Sequence, residues 1–281
     1  MAGITIRPQP MISVVTAVYN GAEYLPALIE SVQNQTYQHV EHVIIDDGSD
    51  DGGATQRVLE SYSHLRWWKR ENKGQYTTQN EGISAAKGDI LVVIAADDVF
   101  SSKYVFQTVV DYFEARPEGE VVYGHTLRMD ANGSHLPDLE INRPPSQWLI
   151  KQISYVQHCS LFVTRPFIIN NRLFFDPTFK YAGDWDWIIR LFKMSRKLGY
   201  IPKPFSVIRM HQNQTSRTST TRSIAAEHQR VSKTHRGNYA LHVFFSHLIN
   251  WRGMSLLGVH TIRKQGVSVF LTRFSSWLKK R

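Results

Sequence analysis

ILVVIAADDVF, residues 90–100, decides how the chain is read. From Ile90 to Ala96 every side chain is apolar, as in a strand buried on both faces of a sheet. Two carboxylates, Asp97 and Asp98, come next. Adjacent negative charges repel, so at the end of a buried strand they must stay solvated or find a cation.

The same grammar recurs on either side. MISVVTAVYN (11–20) is a β-branched run ending in a turn residue, and HVEHVIIDDGSDD (39–51) runs into acids and then Gly48-Ser49. LRWWK (65–69) is expected to be a third strand. Between them, 23–34 carries Leu25, Leu28, Ile29 and Val32 on one helical face, 55–62 is expected to be helical, and 71–89 reads as loop, helix and a Gly88 stop. Alternation at this spacing predicts an α/β fold, an open and mostly parallel sheet with helices on both faces. Ligands bind such sheets outside the carboxyl ends of the strands. Tyr19-Asn20, Asp46-Asp47 and Asp97-Asp98 should therefore meet at one edge. The second half is less regular: hairpins over 117–147, a strand at 158–164, a helix at 185–195 and a strand at 205–211.

Composition bounds the rest. With 281 residues, 42% hydrophobic and 20% charged, the chain can bury a large core. Its formal charge of +9 is uneven. Residues 217–281 hold 12 Lys/Arg and one acid, Glu227, leaving 21 of the 33 basic and 23 of the 24 acidic residues to the first 216. A basic tail on a near-neutral body argues against a nucleic-acid-binding face and divides the chain into 1–216 and 217–281. The lone Cys159 suits a reducing compartment. MAGITIRPQP has no apolar signal core, so the sequons at Asn34, Asn132 and Asn213 are expected to be unused and the protein cytoplasmic.

Phosphate-binding glycine loops, GxxxxGK[ST] or GxGxxG after the first strand, are absent. DDGSDDGG fails as a calcium loop, because Val58 stands where a bidentate Glu is needed. Asp97-Asp98 suits a hard ion, Mn2+ or Mg2+, that takes its other ligands from a diphosphate; the competing reading is a solvated turn. Asp47 can accept a hydrogen bond from a nucleobase or cap a helix. In YAGDWDWIIRL (181–191), Asp184 is the candidate general base and Trp185 and Trp187 a platform for an acceptor sugar, against simple helix capping. His211, closing IRMH, can contact metal or phosphate.

Taken together, VVTAVYNGAEYL, VIIDDGSDDG, NKGQYTTQNEGISAAKGD, AADD and GDWDWIIRL resemble, in family order over residues 10–215, the family 2 glycosyltransferases, inverting enzymes of GT-A fold. The resemblance implies that Ala17, Tyr19, Asn20, Asp47 and Lys73 line the nucleotide-sugar site, with Asp97 near the ribose. It implies that Asp98 and His211 serve the metal and that Asp184 is the base. Two departures stand out: Gly183 where many members have Glu, and Val99 where many have a third Asp. No Gln-x-x-Arg-Trp signature of processive synthases occurs, so single addition from a nucleotide-sugar, UDP-linked by family frequency, to a carbohydrate or lipid-linked acceptor is expected. Rival functions are a nucleotidyltransferase, which would want a basic glycine loop after the first strand, and a non-catalytic nucleotide-sugar or polyanion binder, which needs no metal-and-base set.

The tail has two readings. In 267–281, Val267, Phe270, Leu271, Phe274 and Leu278 recur at helical spacing beside Arg273 and Lys279-Lys280-Arg281; 239–251 repeats the theme. These helices either pack on the catalytic domain or lie on an anionic membrane surface, making the protein peripheral.

Overall fold

The computed structural model describes residues 9–136, 143–212, 214 and 221–246. Strands β1 (Ile12–Val18), β2 (Val40–Asp46), β3 (Arg66–Lys69) and β4 (Ile90–Val93) alternate with helices α1 (Leu25–Gln33), α2 (Ala54–Glu60) and α3 (Gln75–Ala85). A two-residue strand β5 (Val99–Phe100), α4 (Val105–Ala115), β6 (Val121–Asp130), β7 (Leu161–Thr164), α5 (Arg165–Asn170), α6 (Gly183–Met194), β8 (Leu198–Met210) and α7 (Thr221–Thr234) come after them. The sheet order is β3-β2-β1-β4-β7-β6-β8-β5. Pairings β1–β2, β1–β4, β2–β3 and β6–β8 are parallel, whereas β4–β7, β6–β7 and β5–β8 are antiparallel.

Period-two alternation builds one core on each face of this sheet. Val15, Leu91 and Val93 point towards α3, α5 and α6; Ile12, Val14, Ile90 and Val92 point towards α1 and α4. Gly82 lets α3 lie directly on β1, since a Cβ there would sit 2.4 Å from Val15 Cγ1.

β8 runs from 198, not 205. Pro202 and Pro204 hide its first half from a propensity reading, and its pairing with β6 is irregular around His125. There Gly124 faces the Phe205 ring, which a Cβ would meet at 2.5 Å. In the stretch expected to form hairpins, Val121–Asp130 is β6, followed by one tight turn at 130–134 and a bridge from Met129 to His135.

The first part of the basic tail packs on the body. Val231 of α7 is fully buried, and His242 stacks on Trp185 with ring centroids 4.7 Å apart. His235 Nε2 lies 2.7 Å from Asp186 Oδ1 in a buried pair. Burial alone would raise the Asp186 carboxyl, but the His235 hydrogen bond and the Arg190 charge outweigh it and hold it below the ordinary value. The amphipathic pattern at 267–281 and the end of 239–251 lie outside the described residues. Among the described residues no helix is long and apolar enough to cross a membrane.

Overpacking at the α3–β1 contact should be visible. Gly82→Ala gains up to about 1 kcal/mol of helix propensity. The stiff Val15 side chain cannot yield, and overpacking of this kind costs about 1–3 kcal/mol. A net loss of up to about 2 kcal/mol in urea unfolding is expected.

Candidate active site

Parallel pairing of β1, β2 and β4 delivers the three turns to one edge, with Val18 beside Asp46 in register. The chain just beyond β4 is positioned by β8. Val99 pairs with Val207 and Phe100 with Ser206, which brings Arg209 and His211 against the two acids. The Arg209 amide donates to Asp98 Oδ1 at 3.0 Å, and its guanidinium donates to the Asp97 and Ala131 carbonyls at 3.1 Å each. His211 Nε2 is 2.8 Å from Asp97 Oδ2. Tyr24 closes the corner, under the Arg209 guanidinium at 4.8 Å and against the His211 ring at 4.7 Å.

Asp98 is 5% exposed. Burial, and then the Asp97 charge, push its carboxyl well above the usual carboxylate range, against the pull of the Arg209 amide and charge. A buried acid that dislikes its own charge is a receptive seat for a cation. His211 Nδ1 is also buried without a hydrogen-bond partner. Among the described residues no three His, Cys, Asp or Glu side chains form a complete cage. Carboxylate oxygens in a partial set fit a hard divalent ion that completes its shell with phosphate oxygens. His211 serves this corner first by bonding Asp97.

At the β1 turn, Asn20 takes a left-handed φ of 52°, which Asn tolerates. Its amide donates to Ser49 Oγ (2.9 Å), while its side chain and Asp50 exchange bonds of 2.7 and 2.9 Å. Tyr19, 49% exposed, donates to Asp50 at 3.1 Å. The Asn20 and Tyr19 hydrogen bonds hold Asp50 below its ordinary pKa. Ala17 is half-buried near the end of β1. Asp47, 3% exposed, accepts from the amides of Lys73 (2.9 Å) and Gly74 (3.0 Å) and pairs with Arg70 at 3.0 Å. Its visible work is to hold the 73–74 loop, which carries the exposed Lys73 side chain. Asp46 is wholly buried and caps the turn through the Ser49 amide at 2.8 Å.

Asp184 stands in the first turn of α6 with a partly exposed side chain. One oxygen accepts from the Trp185 amide at 2.8 Å; the other lies 3.7 Å from His158 Nδ1. The Tyr76 hydroxyl accepts from the Gly183 and Asp184 amides at 3.0 and 3.2 Å. Burial, and secondarily the Asp184 charge, raise the Tyr76 hydroxyl well above its ordinary value, so it stays neutral. A Cβ at 183 would lie 2.6 Å from the Tyr76 ring, so no Glu fits where many family members have one.

The tryptophan platform is corrected. Trp185 and Trp187 are each 1% exposed, with indole N–H groups donating to the Ile150 and Leu173 carbonyls at 2.7 and 2.6 Å. They are core residues and offer no face to a sugar. Asp50, Arg209, Tyr24, Tyr76 and His158 are the neighbours that sequence reasoning passes over. Asp50 sits in the very DDGSDDGG run considered for calcium, and Arg209 two residues before His211.

The eight-stranded mixed sheet with helices on both faces is of the GT-A class of α/β proteins. The chain belongs to glycosyl transferase family 2, whose model matches residues 13–176. An uncharacterised glycosyltransferase of Rickettsia felis is 30% identical over 191 residues, 65% of this chain and 32% of that protein. The chain thus spans about a third of the length of that relative. Among solved structures, Staphylococcus aureus TarS in complex with UDP-GlcNAc superposes with a TM-score of 0.64 at 16% identity, covering 80% of this chain and 66% of that one. The mannosyltransferase PcManGT of Pyrobaculum calidifontis, in complex with GDP-Man and Mn2+, gives 0.58 at 16% identity, covering 100% and 84%. These likenesses establish the shared fold.

The raised Asp98 pKa has a stability sign. The folded protein keeps the proton at a pH where the unfolded chain, titrating near about 3.9, has lost it. Stability from this group is therefore full below the unfolded pKa and is lost as pH rises through the folded one. Asp98→Asn keeps the Arg209 contact and removes the charge. In EDTA its melting temperature should match the wild type near pH 4 and exceed it increasingly towards pH 8. Equal or lower melting at pH 8 would contradict this burial.

Proposed function

We propose that the protein moves one sugar from a nucleotide-diphosphate sugar to an acceptor hydroxyl with inversion at the anomeric carbon. The observation that carries the reading is the Asp97–Asp98 corner, where a buried carboxylate held by the Arg209 amide lies at the same sheet edge as the β1 and β2 turns. Family membership supports glycosyl transfer, and the neighbours in complex with UDP-GlcNAc or with GDP-Man and Mn2+ support a nucleotide-sugar donor, UDP-linked as first choice.

In this reading Tyr19, Asn20 and Asp50 border the nucleotide end, the Asp47-supported loop presents Lys73, and Asp97, oriented by His211, faces the ribose. Asp98, with His211 beside it, would hold Mn2+ or Mg2+, and such an ion would supply positive charge for the leaving diphosphate. Asp184 accepts the proton of the attacking hydroxyl. The bond to the sugar forms on the face opposite the departing diphosphate, which leaves with the electron pair. The acceptor is proposed to be a carbohydrate or lipid-linked sugar in polysaccharide or glycolipid assembly, with the tail beyond the packed His242 meeting an anionic membrane surface.

Removing a positioned base costs about 10²–10⁴-fold. Asp184→Asn should lose nucleotide-sugar turnover, read as UDP or GDP release from UDP-GlcNAc or GDP-mannose, by that factor while its affinity for the nucleotide stays within twofold. Turnover near the wild-type rate would remove Asp184 from the role.

A further inference from the structure

The tail's one acid occupies a singular place. Glu227 Oε1 accepts from the Lys180 amide at 2.9 Å, and its Oε2 accepts from the Tyr181 and Ala182 amides at 2.8 and 2.9 Å. These three N–H groups belong to the turn that leads into α6 and ends two residues before Asp184. The next two amides, Gly183 and Asp184, go to the Tyr76 hydroxyl, and Trp185 N–H goes to Asp184 itself. Every amide from 180 to 185 is thus accounted for; among the described residues, two side chains from outside the turn accept from these amides, Tyr76 of α3 and Glu227 of α7, while Gln75 Nε2 of α3 donates to the Lys180 carbonyl at 2.8 Å.

We propose that Glu227 is a positioning residue for Asp184, a carboxylate supplied from the C-terminal helix that fixes the turn carrying the base. The proposal rests on the reading of Asp184 as the base. Gly183, immediately before Asp184, has no side chain to brace that base, and the Tyr76 ring fills the space that one would need. Three charge-assisted bonds from a single carboxylate make a stiffer clamp than neutral partners. A glutamine at 227 would turn an N–H2 group towards N–H donors and leave at least one of them stranded.

α7 docks on the body through further contacts, none of them to the 180–182 amides. Arg230, one turn along, donates to Thr178 Oγ1 at 2.6 Å and to Asp176 Oδ2 at 3.2 Å, and lies 4.0 Å over the Phe179 ring. Val231 is buried in the core beside α6, and the His235–Asp186 pair ties the end of α7 to the same helix. His228, beside Glu227, packs edge-on against Trp185 and is kept neutral by burial. The segment after 217 therefore completes the turn that carries Asp184.

A double-mutant cycle on donor hydrolysis, with UDP-GlcNAc or GDP-mannose as the probe, tests this. Misplacing a reacting group by about 1 Å can cost about 10²-fold. Glu227→Gln should lower kcat by that order and leave the donor KM within twofold. Arg230→Ala, which loosens α7 without touching the 180–182 amides, should keep kcat within threefold. Asp184→Asn/Glu227→Gln should be no slower than Asp184→Asn, because a residue acting through the base has nothing left to position. The proposal is overturned if Glu227→Gln keeps wild-type kcat, loses no more than Arg230→Ala, or multiplies its loss onto Asp184→Asn. If Glu227→Gln does not fold, Glu227→Asp, which withdraws the carboxylate by one methylene, enters the same cycle under the same criteria. Full turnover in Asp184→Asn would instead refute the base reading itself. Loss in Asp184→Asn with none in either Glu227 variant would refute this inference alone.

Discussion

Two like charges side by side at the end of a buried strand need an external brace, and the second half of the chain supplies it. The Val99–Phe100 pairing to β8 lays the Arg209 amide on Asp98 and His211 on Asp97. Without β8, Asp97 and Asp98 would be a turn free to repel and rotate towards water. With it, Asp98 is buried on the scaffold with one oxygen bonded to Arg209, in a form that prefers a proton or a cation to bare charge. The long strand, its irregular register with β6 and the Gly124–Phe205 contact can all be understood as the means of bringing 209–211 to that corner.

A second brace acts at Asp184. Asp184 sits where α6 begins, and its approach is held by Tyr76 from the first half of the fold and by Glu227 from the last described helix. Asp98 and Asp184 are thus both set by residues more than 40 positions away in sequence. The geometry at each is tertiary in origin, and α7 is joined to the core through Val231 and the His235–Asp186 pair.

That dependence explains how much can be read from sequence. The βα alternation, the parallel β1, β2 and β4 and the meeting of their ends arise from local periodicity, and the structure has them. Asp97, Asp98 and Asp184 are legible because acids interrupt apolar runs. Trp185 and Trp187 pass for a sugar platform because an aromatic beside a candidate acid looks the same in sequence whether it faces solvent or the core; only the Ile150 and Leu173 carbonyls that take their indole N–H groups decide it. Glu227 carries a compositional signal, one acid among twelve basic residues, but its three amide partners lie 45 to 47 residues upstream. Asp50 is legible in type and not in role, since its partners Tyr19 and Asn20 come from another strand's turn.

The central claim is that the acids after β4 hold a cation that in turn holds a diphosphate. Calorimetric titration of UDP, with and without Mn2+, on the wild type and on Asp98→Ala, addresses it directly. Binding that requires Mn2+ in the wild type and vanishes in Asp98→Ala is the predicted result. Metal-independent binding, equal affinity in the variant, or no binding of UDP or GDP under any metal would contradict it.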